Sequence, residues 1–200
     1  MSTLKVDTIH KRMGTGTITV GQSGDTVALP SATLTTALPV ASGGTGGTSF
    51  SAAGLTNTPS FMARIGSDQG SVGSGTLTKL NYDTEIFDSD GTYDTSNKRF
   101  TPGVVGKYFC TYAFRTLDEL DDGEYAQGYF YKNGSAISPD MGFMRSYSPA
   151  SNQVVTVGNS MIIELDADDY VEIYMLHNEG TSISINDKSS HFSAYRILGA

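Results

Sequence analysis

From residue 59 onward the chain alternates apolar and polar side chains in short runs separated by turn residues. A period of two sends successive side chains to opposite faces of a strand, so each run predicts a strand with one face buried. The runs lie at 61–66 (FMARIG), 76–87 (TLTKLNYDTEIF), 106–117 (GKYFCTYAFRTL), 125–137 (YAQGYFYKNGSAI), 153–165 (QVVTVGNSMIIEL), 169–178 (DYVEIYMLHN), 182–187 (SISIND) and 191–198 (HFSAYRIL). Turn signals stand at 88–92 (DSDGT), 132–135 (KNGS), 157–160 (VGNS) and 178–181 (NEGT). No stretch carries a capped apolar period of 3.6, so the pattern favours strands over helices. Short strands with Gly, Asn and Asp turns over about 140 residues predict an all-β jelly-roll sandwich spanning 59–200.

Residues 1–38 have a different texture. Three short alternating pieces, at 4–9, 15–20 and 25–30, are separated by RMGTG and GQSG and offer little apolar surface. So small a surface cannot offset the entropy of ordering the chain, so this arm is expected to need a partner surface. Between arm and head, residues 39–58 are rich in Gly, Ser and Thr, with Gly43, Gly44, Gly46 and Gly47 set around one threonine. Glycine loses the most backbone freedom on folding, so this stretch reads as a linker. It is not a phosphate cradle, because no Lys-Ser or Lys-Thr follows it and no helix start adjoins it.

Composition narrows the partners. A formal charge of −8, from 21 acidic and 13 basic residues, opposes non-specific binding to nucleic acid or anionic lipid. No apolar run nears the roughly 20 residues of a membrane-spanning helix, so membrane insertion is not expected. The opening MSTLKVDTIHKRMG lacks a secretory apolar core, which points to synthesis in a cytoplasm. The single cysteine, Cys110, lies in KYFCTYAF, where a small buried side chain fits better than a nucleophile.

Two family resemblances follow from motifs. RFTPGVVGKYFCTYAF (99–114) resembles the complement globular-head and tumour-necrosis-factor superfamily of jelly rolls, with Phe100, Gly103, Gly106 and Tyr108 on the family's pattern and Phe109, Tyr112 and Phe114 following. HFSAYRIL is similar to that family's closing strand, with Phe192 and Tyr195 in place and Ala194 where the family has glycine. The resemblance implies a homotrimer, and Phe100, Tyr108, Phe109, Tyr112, Phe114, Phe192 and Tyr195 are the expected core or trimer-packing residues. Tyr, Phe and Met in excess of what a small two-sheet core needs point the same way. PVASGGTGGTSFSAAGL and the opening STLKVDTI resemble segments of bacteriophage tail-fibre proteins. That resemblance implies a virion appendage: an arm held by other virion proteins, a glycine joint, and a trimeric head that binds a host-surface glycan or protein. A capsid decoration or head fibre with a purely architectural role is the alternative.

Candidate chemistry is sparse. Five carboxylates in TLDELDDGEY (116–125) make Asp118, Asp121 and Asp122 the residues to test for Ca²⁺, although the spacing lacks the calcium-loop pattern and a solvated acidic loop is the simpler reading. His10, His177 and His191 have no metal-like spacing and read as surface or loop-end residues. The acids sit mainly in turns and the chain has no Trp, so a glycosidase groove is not expected, and the protein reads as a non-enzyme. The segment 138–152 (SPDMGFMRSYSPASN) is too apolar for a plain connector. Either it packs at a trimer interface or it presents Phe143, Arg145 and Tyr147 as receptor-binding residues.

Overall fold

The computed structural model describes residues 57–137 and 143–197. The arm at 1–38, the linker glycines Gly43, Gly44, Gly46 and Gly47, and Met141 lie outside the described residues. Among the described residues fourteen strands follow in order: β1 Ser60–Arg64, β2 Gln69–Val72, β3 Thr78–Lys79, β4 Thr84–Asp88, β5 Tyr93–Asp94, β6 Arg99–Phe100, β7 Gly106–Arg115, β8 Tyr125–Lys132, β9 Ser135–Ala136, β10 Phe143–Tyr147, β11 Thr156–Leu165, β12 Val171–His177, β13 Ile183–Ile185 and β14 His191–Arg196. No helix forms among the described residues, and none is long and apolar enough to cross a membrane.

Two antiparallel sheets make a sandwich. The first runs β11-β7-β14-β1-β4; the second runs β10-β8-β12-β6-β5, with β3 on β12 and β9 on β8. A small third sheet pairs β13 with β2. Alternation along β7 sends Tyr108, Cys110, Tyr112 and Phe114 inward and Phe109 and Thr111 outward. The core is aromatic: Phe61 stacks on Tyr93 and Phe100 at 4.5 and 4.7 Å and meets the edge of Phe192 at 4.9 Å. Offset and edge-on contacts of this kind add to area burial. Phe100, Tyr108, Tyr112, Phe114 and Phe192 are therefore core residues, whereas Phe109 and Tyr195 lie together on the outer face of the five-stranded sheet, 5.4 Å apart. Cys110 is buried, and loss of solvation pushes its thiol well above the usual range, so it is a core filler.

Three expectations are corrected, for 76–87, VGNS and His177, and the segment 138–152 gains a strand. The run 76–87 is two strands: β3 pairs with β12 in one sheet and β4 with β1 in the other. Between them Leu80 and Tyr82 are fully buried, so the chain crosses the core where continuous alternation suggested one strand. VGNS is no turn; Gly158 and Asn159 sit inside β11 opposite Ala113 and Tyr112. Within 138–152, residues Phe143–Tyr147 form an edge strand on β8. His177 is buried at the end of β12, its Nε2 3.0 Å from the Val72 carbonyl oxygen, while His191 begins β14 on the other sheet.

The hairpin after β8 turns at Asn133 and Gly134, both at positive φ (52° and 76°), the geometry of the hairpin turns that Asn-Gly favours. Asn133 fixes it from outside by donating to Asp169 at 2.6 Å and accepting from the Tyr170 amide at 2.9 Å. At this same end of the sandwich the first and last strands are neighbours: β1 pairs with β14, and the Arg196 amide donates to the Pro59 carbonyl at 3.1 Å.

Candidate functional site

The acidic loop does not assemble a metal centre. Asp118 accepts from the Ser184 amide, the Asp121 amide donates to Glu179 at 3.0 Å, and the Asp122 amide reaches Ser151. Among the described residues no group of three or more His, Cys, Asp or Glu is placed to hold a metal ion. Glu124, at the end of the loop, pairs with Glu179 in the turn after β12: a hydrogen bond with Glu179 and loss of solvation raise Glu124 to about 7, while Glu179 is lowered by the same bond.

The chemistry gathers on the outer face of the seven-stranded sheet. In β8 the inward positions Ala126, Gly128 and Phe130 meet the core, so Tyr125, Gln127, Tyr129 and Tyr131 point the other way. The register of β10 lays Phe143 opposite Tyr129, Arg145 opposite Gln127 and Tyr147 opposite Tyr125. The register of β12 adds Tyr174 opposite Tyr129, with Glu172 and Leu176 on either side. Phe143, Arg145 and Tyr147 are thus brought together, on one face of one strand, within a larger aromatic surface.

The rings touch one another across the strands. Tyr125 meets Tyr147 at 5.7 Å, Tyr129 meets Phe143 at 5.9 Å, and Tyr131 meets Tyr174 at 4.4 Å. Arg145 lies over the Tyr125 ring at 4.0 Å; its Nε donates to the Gln127 side-chain oxygen at 2.7 Å and its Nη1 to the Tyr147 hydroxyl at 3.0 Å. Gln127 is buried beneath it, so the guanidinium is anchored from below while the Arg145 side chain as a whole stays exposed. The bond to Tyr147 raises the already high pKa of Arg145 further. Lys79 pairs with Glu172 and approaches the Tyr174 ring at 5.9 Å. Loss of solvation raises the hydroxyls of Tyr129 and Tyr174, keeping both as neutral donors.

Such a face can stack flat apolar faces of a ligand on its rings and hydrogen-bond polar edges through phenol hydroxyls and Arg145. Reading 138–152 by itself missed Tyr125, Gln127, Tyr129, Tyr131 and Tyr174. The signal was present in YAQGYFYK, where one parity carries Ala, Gly and Phe and the other Tyr, Gln, Tyr and Tyr.

A second surface lies on the outer face of the five-stranded sheet. Ile162, Phe109 and Tyr195 stand in register across β11, β7 and β14, and Met62 and Phe87 are paired on β1 and β4. Ile162 is 59% and Phe87 49% exposed, so large apolar groups face outward there.

The fold is a jelly-roll β-sandwich. No protein-family model matches the chain. The globular domain of zebrafish complement 1qA superposes with a TM-score of 0.51 at 12% identity, covering 70% of this chain and 97% of that one. Murine APRIL in a crystal structure at pH 5.0 superposes with a TM-score of 0.50 at 6% identity, covering 70% and 98%. At such identities the likeness is one of fold, and it agrees with the jelly roll expected from the motifs around Phe100 and Phe192. In sequence, the chain is similar to the phage-like element PBSX protein XkdV of Bacillus subtilis (strain 168), 31% identical over 105 residues. The match takes in 50% of this chain but only 15% of the length of that relative.

Proposed function

We propose that this chain is a bacteriophage structural protein of the tail-fibre type, a homotrimeric appendage whose head binds a host-surface glycan through the aromatic face of the seven-stranded sheet. The observation that carries the reading is that face: four tyrosines of β8 and β12, with Phe143 and Tyr147, form a ring-lined surface around a fixed guanidinium. Sugar rings present apolar C–H faces and hydroxyl edges, which match rings and phenol hydroxyls in alternation. Its groups serve stacking and hydrogen bonding, so the role is binding, not catalysis. Similarity to a phage-element protein supports the phage assignment, and residues 1–38 are then the part held by other virion proteins. The apolar row Ile162, Phe109 and Tyr195 supports self-association, since an exposed apolar strip is removed from water when copies pack on it. Three copies present three binding faces, so weak individual sites add up to firm attachment.

The test is adsorption. Purified full-length chain should coat host cells and block adsorption of the parent particle, and Tyr129→Ala with Tyr174→Ala should abolish both without changing native mass. If neither variant nor wild type touches cells and labelled antibody marks the capsid, the architectural alternative replaces receptor binding. A monomeric native mass at micromolar concentration would remove the trimer.

A further inference from the structure

Among the described residues, no carboxylate is paired with Arg145 on the aromatic face. Lys79 and Glu172 neutralise each other. Arg145 is held by neutral groups alone: the Gln127 amide oxygen, the Tyr147 hydroxyl and the ring of Tyr125. Among the described residues no carboxylate forms a salt bridge with it, in a protein whose formal charge is −8. A guanidinium ringed by tyrosines and fixed by a buried glutamine is a built arrangement. A guanidinium carries five N–H donors, and two are used by Gln127 and Tyr147. Those remaining are free to meet a planar or tetrahedral anion in the paired geometry that arginine favours.

We infer that the face recognises an acidic glycan, a sugar chain bearing carboxylate or phosphate, with Arg145 engaging the anionic group while neighbouring rings stack on the sugars. This rests on the proposed glycan-binding function and names its substrate class. Two features make Arg145 a selector. Its stem and head are held before the ligand arrives, by stacking on Tyr125 and the bond to Gln127, so little side-chain entropy remains to be lost. Its charge also offsets the repulsion an anion meets on approaching an acidic protein. Neutral sugars gain nothing from the charge and only a weaker hydrogen bond from the held guanidinium.

The experiment measures binding of the full-length chain to matched pairs of immobilised polysaccharides. Polygalacturonate against its methyl ester varies only the carboxylate, and phosphomannan against mannan varies only the phosphate. Wild type is expected to prefer at least one acidic partner roughly tenfold or more, the size of a charge-assisted hydrogen bond. Arg145→Gln should erase that preference by weakening acidic binding more than neutral binding, Arg145→Lys should keep a fraction of it, and added salt should weaken chiefly the acidic arm. The near-ultraviolet tyrosine signal verifies that each variant retains the face. Equal binding to acidic and neutral partners, or an equal loss on both in Arg145→Gln, overturns the acidic preference and leaves glycan binding standing. No binding to any polysaccharide in the panel overturns both.

Discussion

Placing a methyl group on Gly128 tests how the aromatic face is supported from beneath. Gly128 lies in the middle of β8, paired with Met144 on one side and Met175 on the other. An added Cβ would stand 2.6 Å from Tyr112 Cε2, 2.7 Å from its hydroxyl and 2.8 Å from Phe114 Cε1. Carbon atoms in contact prefer about 3.5–4.0 Å, so either both rings or β8 must move by roughly 1 Å. The rings have little room, because Tyr112 already packs edge-on against Phe130 at 4.8 Å and both are fully buried. Overpacking of this kind costs about 1–3 kcal/mol, and two rings displaced together place Gly128→Ala near the upper end. Alanine recovers roughly 0.5–1 kcal/mol by restricting the unfolded chain, leaving about 2 kcal/mol of net destabilisation. Urea titration of full-length protein, followed by tyrosine near-ultraviolet dichroism in a chain without Trp, reads this directly. Because the Tyr112 hydroxyl is one of the clashing atoms, Tyr112→Phe in the Gly128→Ala background should recover part of the loss, a coupling that a double-mutant cycle measures. A neutral or stabilising Gly128→Ala would refute the close packing of β8 on β7's rings.

Other outcomes follow from single features. Glu124 should titrate near pH 7 by carboxyl nuclear magnetic resonance and fall back toward 4.5 in Glu179→Gln; an unchanged midpoint would show that the two carboxyls do not share a proton. Asp169 accepts from Lys132, Asn133 and the Asp166 amide, which hold it at about 2, below its unfolded value, so its contribution is present above about pH 4 and lost as pH falls toward 2. Asp169→Asn should flatten the acid limb of melting temperature against pH, and an unaltered limb would place the acid sensitivity elsewhere. Gly134→Ala should cost about 1 kcal/mol in thermal unfolding, because a side chain at φ 76° is strained even where space is open; no loss would mean that the hairpin tolerates another turn. Phe109→Arg with Ile162→Glu should reduce the native mass to that of one chain if copies meet on the five-stranded sheet, and an unchanged oligomer would move the interface to another surface.

Local pattern and nonlocal pairing divided what the sequence disclosed. The strands around Tyr108, Phe130 and Phe192 were legible because each follows one clean parity, and the hairpin was legible because Asn133-Gly134 supports few alternatives. The run 76–87 was not, since alternation looks the same whether a chain continues along one sheet or crosses to the other; Tyr82, which donates to the Ala113 carbonyl at 3.0 Å, is where it crosses. VGNS misled because Gly and Asn are tolerated within a long paired strand as well as in turns. For the candidate site, Phe143, Arg145 and Tyr147 could be picked out from their apolar setting. The parity of YAQGYFYK marked its tyrosines as outward, but not that they join these residues, because Tyr147 meets Tyr125, and Tyr129 meets Tyr174, only through strand register.

The adjacency of β1 and β14, sealed by the Arg196 amide on Pro59, also bears on how such a head is inherited. A domain whose first and last strands lie side by side can be spliced in or out of a longer polypeptide with its two junctions at one place, leaving whatever flanks it undisturbed. On the function proposed above, recombination would then exchange the whole aromatic face as one cassette, with no redesign of the remaining chain.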